Sequence, residues 1–444
     1  MNNLKIYLLF FLLSSTLVAQ QIISLTWHEV VGISQRENLE LKIKQEDLYY
    51  QVKNECKAIG EFLPTIKYQF QAINNIERPE FVVPNFGRIK FGTNYNFTHS
   101  VELQYPIFTG GLRWSNWKIQ KNLSKSLQEQ LRDKEDDIVL QALEAYFGLM
   151  LAKNLIDVNR RAFDAANANL EQVEKFFNLG GASKLDYLRA KSRYSSSLPP
   201  LKTAINSYDL AEEKLKFILN ITPEDSLVVL DSLKEMEFLS SLEGMNLSDI
   251  NKQALANRPD LKNMALQRTI ASDQKTISLS KFMPQIIFAA NLQHQAQVQD
   301  AAFVPNDFVR SKSAVLALQI PLFEGVKRIV DYQQASINER KAEIMFKLSE
   351  RAVLLEVQAS YLETKNTREN LATLRSAMLE SRETLRLAEL NYKEGIITQV
   401  DVLTAQLALT SSEVNFQQGI FDYNVSQLYL LRSIGRLDTI WKVQ

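Results

Sequence analysis

From Tyr95 the chain alternates: Tyr95, Phe97, His99, Val101, Leu103 and Tyr105 fall on one face, and Asn96, Thr98, Ser100, Glu102 and Gln104 on the other. A period of two held this long suits a membrane-spanning β-strand of about 9–11 residues, with one apolar and one wet face. Ile66, Tyr68, Phe70 and Ala72 alternate with Lys67, Gln69 and Gln71 in the same way. Two weaker stretches keep parity: Ile286, Phe288, Ala290 and Leu292, then Ala314, Leu316, Leu318 and Ile320. The pattern therefore predicts four strands.

Elsewhere the period changes. Leu371, Leu374, Met378 and Leu385 are spaced by 3, 4 and 7 residues, the seam of a coiled coil. Between Gly111 and Gly180 only Gly148 interrupts, and between Gly325 and Gly395 there is neither glycine nor proline. Each interval predicts one helix of roughly 68 residues, about 100 Å long at the helical rise. A return helix is expected after each glycine turn, from Ser183 to about Leu219 and from Thr398 to about Ile434. Another precedes each strand pair, near 25–60 and 249–281. A return and a leading helix together match one long helix, so stacked end to end they can lie antiparallel beside it. Pro199-Pro200 falls inside the first return helix and is expected to break or kink it.

The pattern occurs twice. "LQYPIFTGGLRW" (103–114) returns as "LQIPLFEGVKRI" (318–329). Pro106 and Pro321, Gly110 and Gly325, Tyr146 and Tyr361, Gly180 and Gly395, and Asp186 and Asp401 are each 215 residues apart. "FLPTI" at 62 recurs as "FMPQI" at 282, an offset of 220. The chain is two copies of a strand pair, long helix and return helix. Its expected organisation is a signal at 1–19, the first leading helix within 20–61, a strand pair with its connection at 62–108, and a helical hairpin at 109–219. An acidic linker without clear periodicity follows at 220–248. The second copy has its leading helix at 249–281, strand pair at 282–323 and hairpin at 324–435, with a tail at 436–444.

Composition narrows the class. Lys+Arg and Asp+Glu are 51 each, so net charge gives no pull toward nucleic acid. Only 14 glycines and 11 prolines in 444 residues fit long uninterrupted helices. "MNNLKIYLLFFLLSSTLVAQQ" reads as an export signal cleaved near Ala19: one lysine, a short apolar run, then small residues. Beyond it no apolar run approaches the ~20 residues of a membrane helix. The lone cysteine, Cys56, allows no disulfide and lies far from the cleavage site. His28, His99 and His294 have no partner at metal-ligand spacing, and no phosphate loop or nucleophile elbow appears. The residues point to no enzyme, cofactor or metal.

Four two-faced strands cannot stand alone in lipid, where an open sheet edge leaves backbone groups unpaired. Four are too few to close a barrel, since single-chain membrane barrels start at about eight. The chain must then associate, three copies giving twelve strands or two giving eight. The alternative is a soluble periplasmic coiled-coil scaffold or adaptor with β-hairpin insertions.

The duplicated unit, the export signal, "YPIFTGG"/"IPLFEG" and "YKEGIITQVDVLTAQ" (392–406) resemble the TolC family of outer-membrane efflux proteins across essentially the whole mature chain. The resemblance implies a homotrimer in the outer membrane, each chain giving four strands to one twelve-stranded barrel continuous with an α-helical periplasmic tunnel. It implies a passive exit duct of an efflux pump or type I secretion system, working with a periplasmic adaptor and an inner-membrane transporter. Residues 220–248 would form its equatorial segment, and 77–93 and 297–308 its extracellular connections. Pro106, Gly110, Pro321 and Gly325 would mark the crossing from barrel to tunnel. Gly180, Gly181, Ser183, Gly395 and Thr398 would form the adaptor-contact tips. Asp186, Asp401 and Tyr392 would line the periplasmic gate, although Ser183-x-x-Asp186 and Thr398-x-x-Asp401 are also capping-box patterns. The family's linking arginine is replaced by Ile397 and its second acidic ring position by Thr404, so the gate need not close by the family's contacts.

Overall fold

The computed structural model describes residues 22–84, 87–239, 244–302 and 304–441. The expected signal lies outside the described residues. In chain order the elements are β1 (Ile22–Leu25), α1 (Trp27–Glu37), α2 (Leu39–Gly60), β2 (Thr65–Asn74), β3 (Glu80–Val83), β4 (Gly87–Lys90), β5 (Tyr95–Thr109), α3 (Leu112–Asn178) and α4 (Lys184–Leu219). There follow β6 (Ser226–Val229), α5 (Leu247–Asn257), α6 (Pro259–Ser280), β7 (Gln285–Val298), β8 (Phe308–Gln319), α7 (Lys327–Lys393) and α8 (Gln399–Ile434). Short 3₁₀ turns occupy Pro305–Asp307 and Leu437–Ile440, the latter inside the expected tail.

The long helices α3 and α7 are 67 residues each and the return helices α4 and α8 are 36 each. Scarcity of breakers makes this possible; packing of one apolar stripe stabilises it. Contrary to expectation, α4 runs unbroken through Pro199 and Pro200. Their rings line a groove of about 710 Å³ with Leu151, Ala152 and Phe421. The expected leading helices are each divided. Asn38 is extended between α1 and α2, and its side-chain oxygen accepts from the N–H groups of Glu40 and Leu41, so it caps a new helix. In the second copy Arg258 is extended just before Pro259, which disfavours helix in the preceding residue.

The chain forms two compact units, with α3 and α7 contributing to both. One unit comprises Glu46–Gln130 and Asp260–Ser349. It holds an antiparallel four-stranded sheet in the order β2-β5-β7-β8, so the two copies share one sheet. β8 ends at Gln319, one residue short of the expected Ile320. The connection at 77–93 carries a β3–β4 hairpin in which Glu80 pairs with Lys90 and Arg88.

The other unit comprises the described residues to Gln45, Leu131–Pro259, and those from Glu350. Val139, Leu143, Tyr146 and Leu149 of α3 pack with Leu215 and Leu219 of α4 and Leu428 and Leu431 of α8. The linker at 220–248 is not structureless: β6 pairs in parallel with β1. Asp231 accepts from the Trp27 N–H at 3.1 Å and from the Tyr146 hydroxyl at 2.8 Å. Asn424 and Gln427 clamp the following strap through Met236 N–H (2.9 Å) and Phe238 N–H (3.0 Å). They donate in return to the carbonyls of Lys234 and Met236. α3 is also long and apolar enough over one window to cross a membrane, against the sequence expectation, but 61% of that window is buried. It is the core helix of this unit.

Candidate functional site

The sheet presents two chemically different faces. The register aligns Ile66 with Leu103 and Ala290, and Tyr105 with Phe288 and Leu316, giving a mostly apolar face. The other face carries Gln69, Ser100, Gln293 and Ser311, and pairs Lys67 with Glu102. Every residue of β2 is exposed, and so is every residue of β8 after Phe308. β2 and β8 have one strand neighbour each, so both edges of the sheet are open.

Where sheet meets helix, Pro106 does not end the ladder. β5 continues to Thr109, its register on β7 slipping between Pro106 and Phe108. A bulge is where a central strand tolerates a residue without an N–H. Pro321 instead lies beyond the end of β8. Gly110 and Gly325 follow, both with positive φ (65° and 68°). The sequence reading missed the residue that organises each crossing. Arg113 is buried, lies over the Phe62 ring at 5.2 Å, and donates to the carbonyls of Pro106, Ile107 and Glu61. Arg328 repeats this over Phe282 at 5.2 Å, donating to Pro321 (3.0 Å) and Lys281 (3.1 Å). The signal was present, since these arginines share the 215-residue offset.

At the helix turns, Gly180 and Gly395 close α3 and α7 with φ of 80° and 73°. Gly181 N–H bonds Phe176 carbonyl at 2.7 Å and Ile396 N–H bonds Asn391 carbonyl at 2.8 Å, the 6→1 bonds of two Schellman closures. Each return helix then starts with the anticipated cap. Ser183 Oγ accepts from Asp186 N–H at 3.1 Å and donates to its carboxylate at 2.6 Å. The Thr398 hydroxyl and N–H donate to the Asp401 carboxylate at 2.6 and 2.8 Å, holding it below the usual carboxylate range. Tyr392 lies 39% exposed in the last turn of α7. Among the described residues no hydrogen bond joins Tyr392 to either aspartate. The first tip adds features with no sequence precedent: Phe177 stacks on Tyr187 at 5.3 Å, with Lys184 Nζ over both rings. Phe177 is the repeat counterpart of Tyr392.

Solved structures share this architecture. The Campylobacter jejuni CmeC outer membrane channel superposes with a TM-score of 0.79 at 15% identity, covering 93% of this chain and 86% of that one. The fold is thus that of outer-membrane channels. The chain belongs to the outer membrane efflux protein family, which matches residues 84–220 and 250–436. It is similar to outer membrane protein TolC of Escherichia coli K12, 21% identical over 92% of this chain and 84% of the relative. It is also similar to the alkaline protease secretion protein AprF of Pseudomonas aeruginosa, 21% identical over 79% and 72%. None of these supports a soluble scaffold.

Proposed function

We propose that this outer-membrane protein works as a homotrimeric exit duct for efflux or type I secretion, passing cargo delivered through a periplasmic adaptor from an inner-membrane transporter. The observation that carries the reading is the four-stranded sheet with one apolar face, one polar face and two open edges. Closing β8 of one copy onto β2 of the next satisfies both edges, and three copies give a twelve-stranded barrel wide enough for an aqueous lumen. Transport through it needs no chemistry of its own.

The duplication supports the same closure. Within one chain α8 is tied to α3: Arg432 to Asp133 and Asp137, Tyr429 to Glu144, and Gln417 to Asn154. Shifting Asn154–Gln417 by 215 residues gives Glu369 on α7 and Lys202 on α4, an exposed pair of opposite charge. Shifting Arg432–Asp137 gives Phe217, 82% exposed, and Ala352. The seam α4 would make belongs to α7 of a neighbouring copy, a head-to-tail contact that closes a ring.

In this reading the tips form the periplasmic entrance, and Asp186, Asp401 and Tyr392 narrow it while the aspartates also cap their helices. Gly180, Gly181, Ser183, Gly395 and Thr398 shape the adaptor-contact surface, and Pro106, Gly110, Pro321 and Gly325 the barrel–tunnel crossings. D186A/D401A in planar bilayers is expected to raise single-channel conductance and weaken block by multivalent cations. If neither changes, the gate assignment fails; if the parent protein conducts nothing, the duct fails with it.

A further inference from the structure

The apolar face of the sheet is interrupted by one polar island. His99 on β5 stands directly opposite His294 on β7, and His294 opposite Arg310 on β8. One row nearer the helices, Lys312 of β8 stands opposite Leu292. Because residues two apart share a face, Arg310 and Lys312 lie on the same side as Leu316 and Leu318. The Tyr68 hydroxyl meets His99 Nδ1 at 2.7 Å and adds a polar group beside the histidines. Both cations are exposed, and no described carboxylate forms an ion pair with either.

Position along the strand gives the island its meaning. Arg310 lies eight residues from Leu318, about 27 Å at the strand rise. With usual barrel tilt that spans most of an apolar band about 25 Å tall. A cation at mid-band costs about 2–4 kcal/mol, and near an interface almost nothing. Arg310 and Lys312 therefore belong at the rim of the band away from the helices, Lys312 reaching it along its flexible stem. An acyl chain fits the row below, over Leu316, Leu318 and Phe288, and the groups above it donate to an anion.

We infer that Arg310 and Lys312, flanked by His294 and His99, form a binding site for the phosphate-bearing headgroup of an anionic lipid in the leaflet remote from the helices. The site rests on the reading of the apolar face as lipid-facing. Three copies would carry three such sites around one barrel. The occupant is a lipid rather than a free anion, because the apolar row offers nothing to phosphate alone.

Native mass spectrometry of the detergent-extracted full-length protein tests this with diphosphoryl lipid A, its dephosphorylated form and inorganic phosphate as separate probes. At about fivefold per cation, R310Q/K312Q is expected to weaken diphosphoryl lipid A binding about thirtyfold. The charge-retaining R310K/K312R should bind like the parent, which separates lost charge from lost folding. The dephosphorylated lipid should bind the parent as weakly as diphosphoryl lipid A binds R310Q/K312Q. Equal binding by parent and R310Q/K312Q overturns the site, as does inorganic phosphate binding as well as the lipid. Conductance recorded on the same preparations keeps the two readings apart. A parent that binds diphosphoryl lipid A but does not conduct contradicts the duct alone. Conducting proteins with equal lipid binding contradict the site alone.

Discussion

The return helices α4 and α8 have the same length and the same place in the repeat, but their side chains face different surroundings. α8 carries Arg432, largely buried between Asp133 and Asp137 of α3, and its polar residues Asn424 and Gln427 hold the strap at 234–238. α4 carries Phe217 where α8 has Arg432, and Lys202 where α8 has Gln417, both exposed. One copy of the repeat completes its contacts inside the chain; the other leaves matching groups open. Duplication supplies two equivalent surfaces; divergence has given one to folding, and in the proposed ring it leaves the other for assembly.

The largest expected effect falls on the completed side. R432L removes a largely buried guanidinium from between Asp133 and Asp137, beside the buried Asp136, and is expected to cost about 3–5 kcal/mol in denaturant unfolding, the range for breaking a buried ion pair. F217S, at the equivalent position of α4, should leave the stability of the single chain unchanged. If both substitutions cost the same, the two helices do not differ as described.

The crossings sharpen the comparison next. A Cβ at Gly110 would sit 2.6 Å from the Ser280 carbonyl oxygen and 2.7 Å from Met283 Cβ, whereas one at Gly325 meets nothing within 4 Å. Both need positive φ, so G325A should cost about 1–2 kcal/mol and G110A about 2–5 kcal/mol through added overlap. Equal losses in melting temperature would show that the crossings are packed alike.

Asp136 provides a pH test confined to one copy, since its repeat counterpart is Arg351. Burial pushes its carboxyl up to about 6, against the attraction of Arg432. The folded protein then holds a proton that the unfolded chain, with a carboxyl near 3.9, releases. Its contribution to stability is greatest below about pH 4 and declines by about 3 kcal/mol as pH rises to about 6, then stays level. The stability difference between D136N and the parent should follow that curve; a flat difference removes Asp136 from it. The smallest effects are expected at the tips, where S183A and T398A should each cost about 1 kcal/mol as lost caps, read by thermal melting.

Much of this was legible in the sequence because period and offset are local signals. Alternation at 95–105 located β5, and the long intervals between glycine turns located both long helices to within a residue or two. Tertiary partners were not legible. β6 is only four residues long and exists because β1 pairs with it. The divisions at Asn38 and Arg258 depend on single capping or pre-proline residues inside otherwise helical patterns. Pro199 and Pro200 violate helix propensity, yet α4 continues through them, and both are exposed. Arg113 and Arg328 carry no local sign of their role, because the carbonyls they meet come from the chain at each crossing and from the end of each leading helix. The caps at Asp186 and Asp401 were visible as spacing, whereas the Phe177–Tyr187–Lys184 stack was not.

The central claim is that an α4 surface left open in one chain is completed by α7 of the next. It is tested most directly by joining Lys202 to Glu369 across copies. In a C56S background that removes the native thiol, K202C/E369C treated with a short bis-maleimide is expected to run as a covalent trimer on a denaturing gel, while K202C and E369C alone remain monomers. A product that stays monomeric, or a ladder that continues past three, would contradict the closed ring.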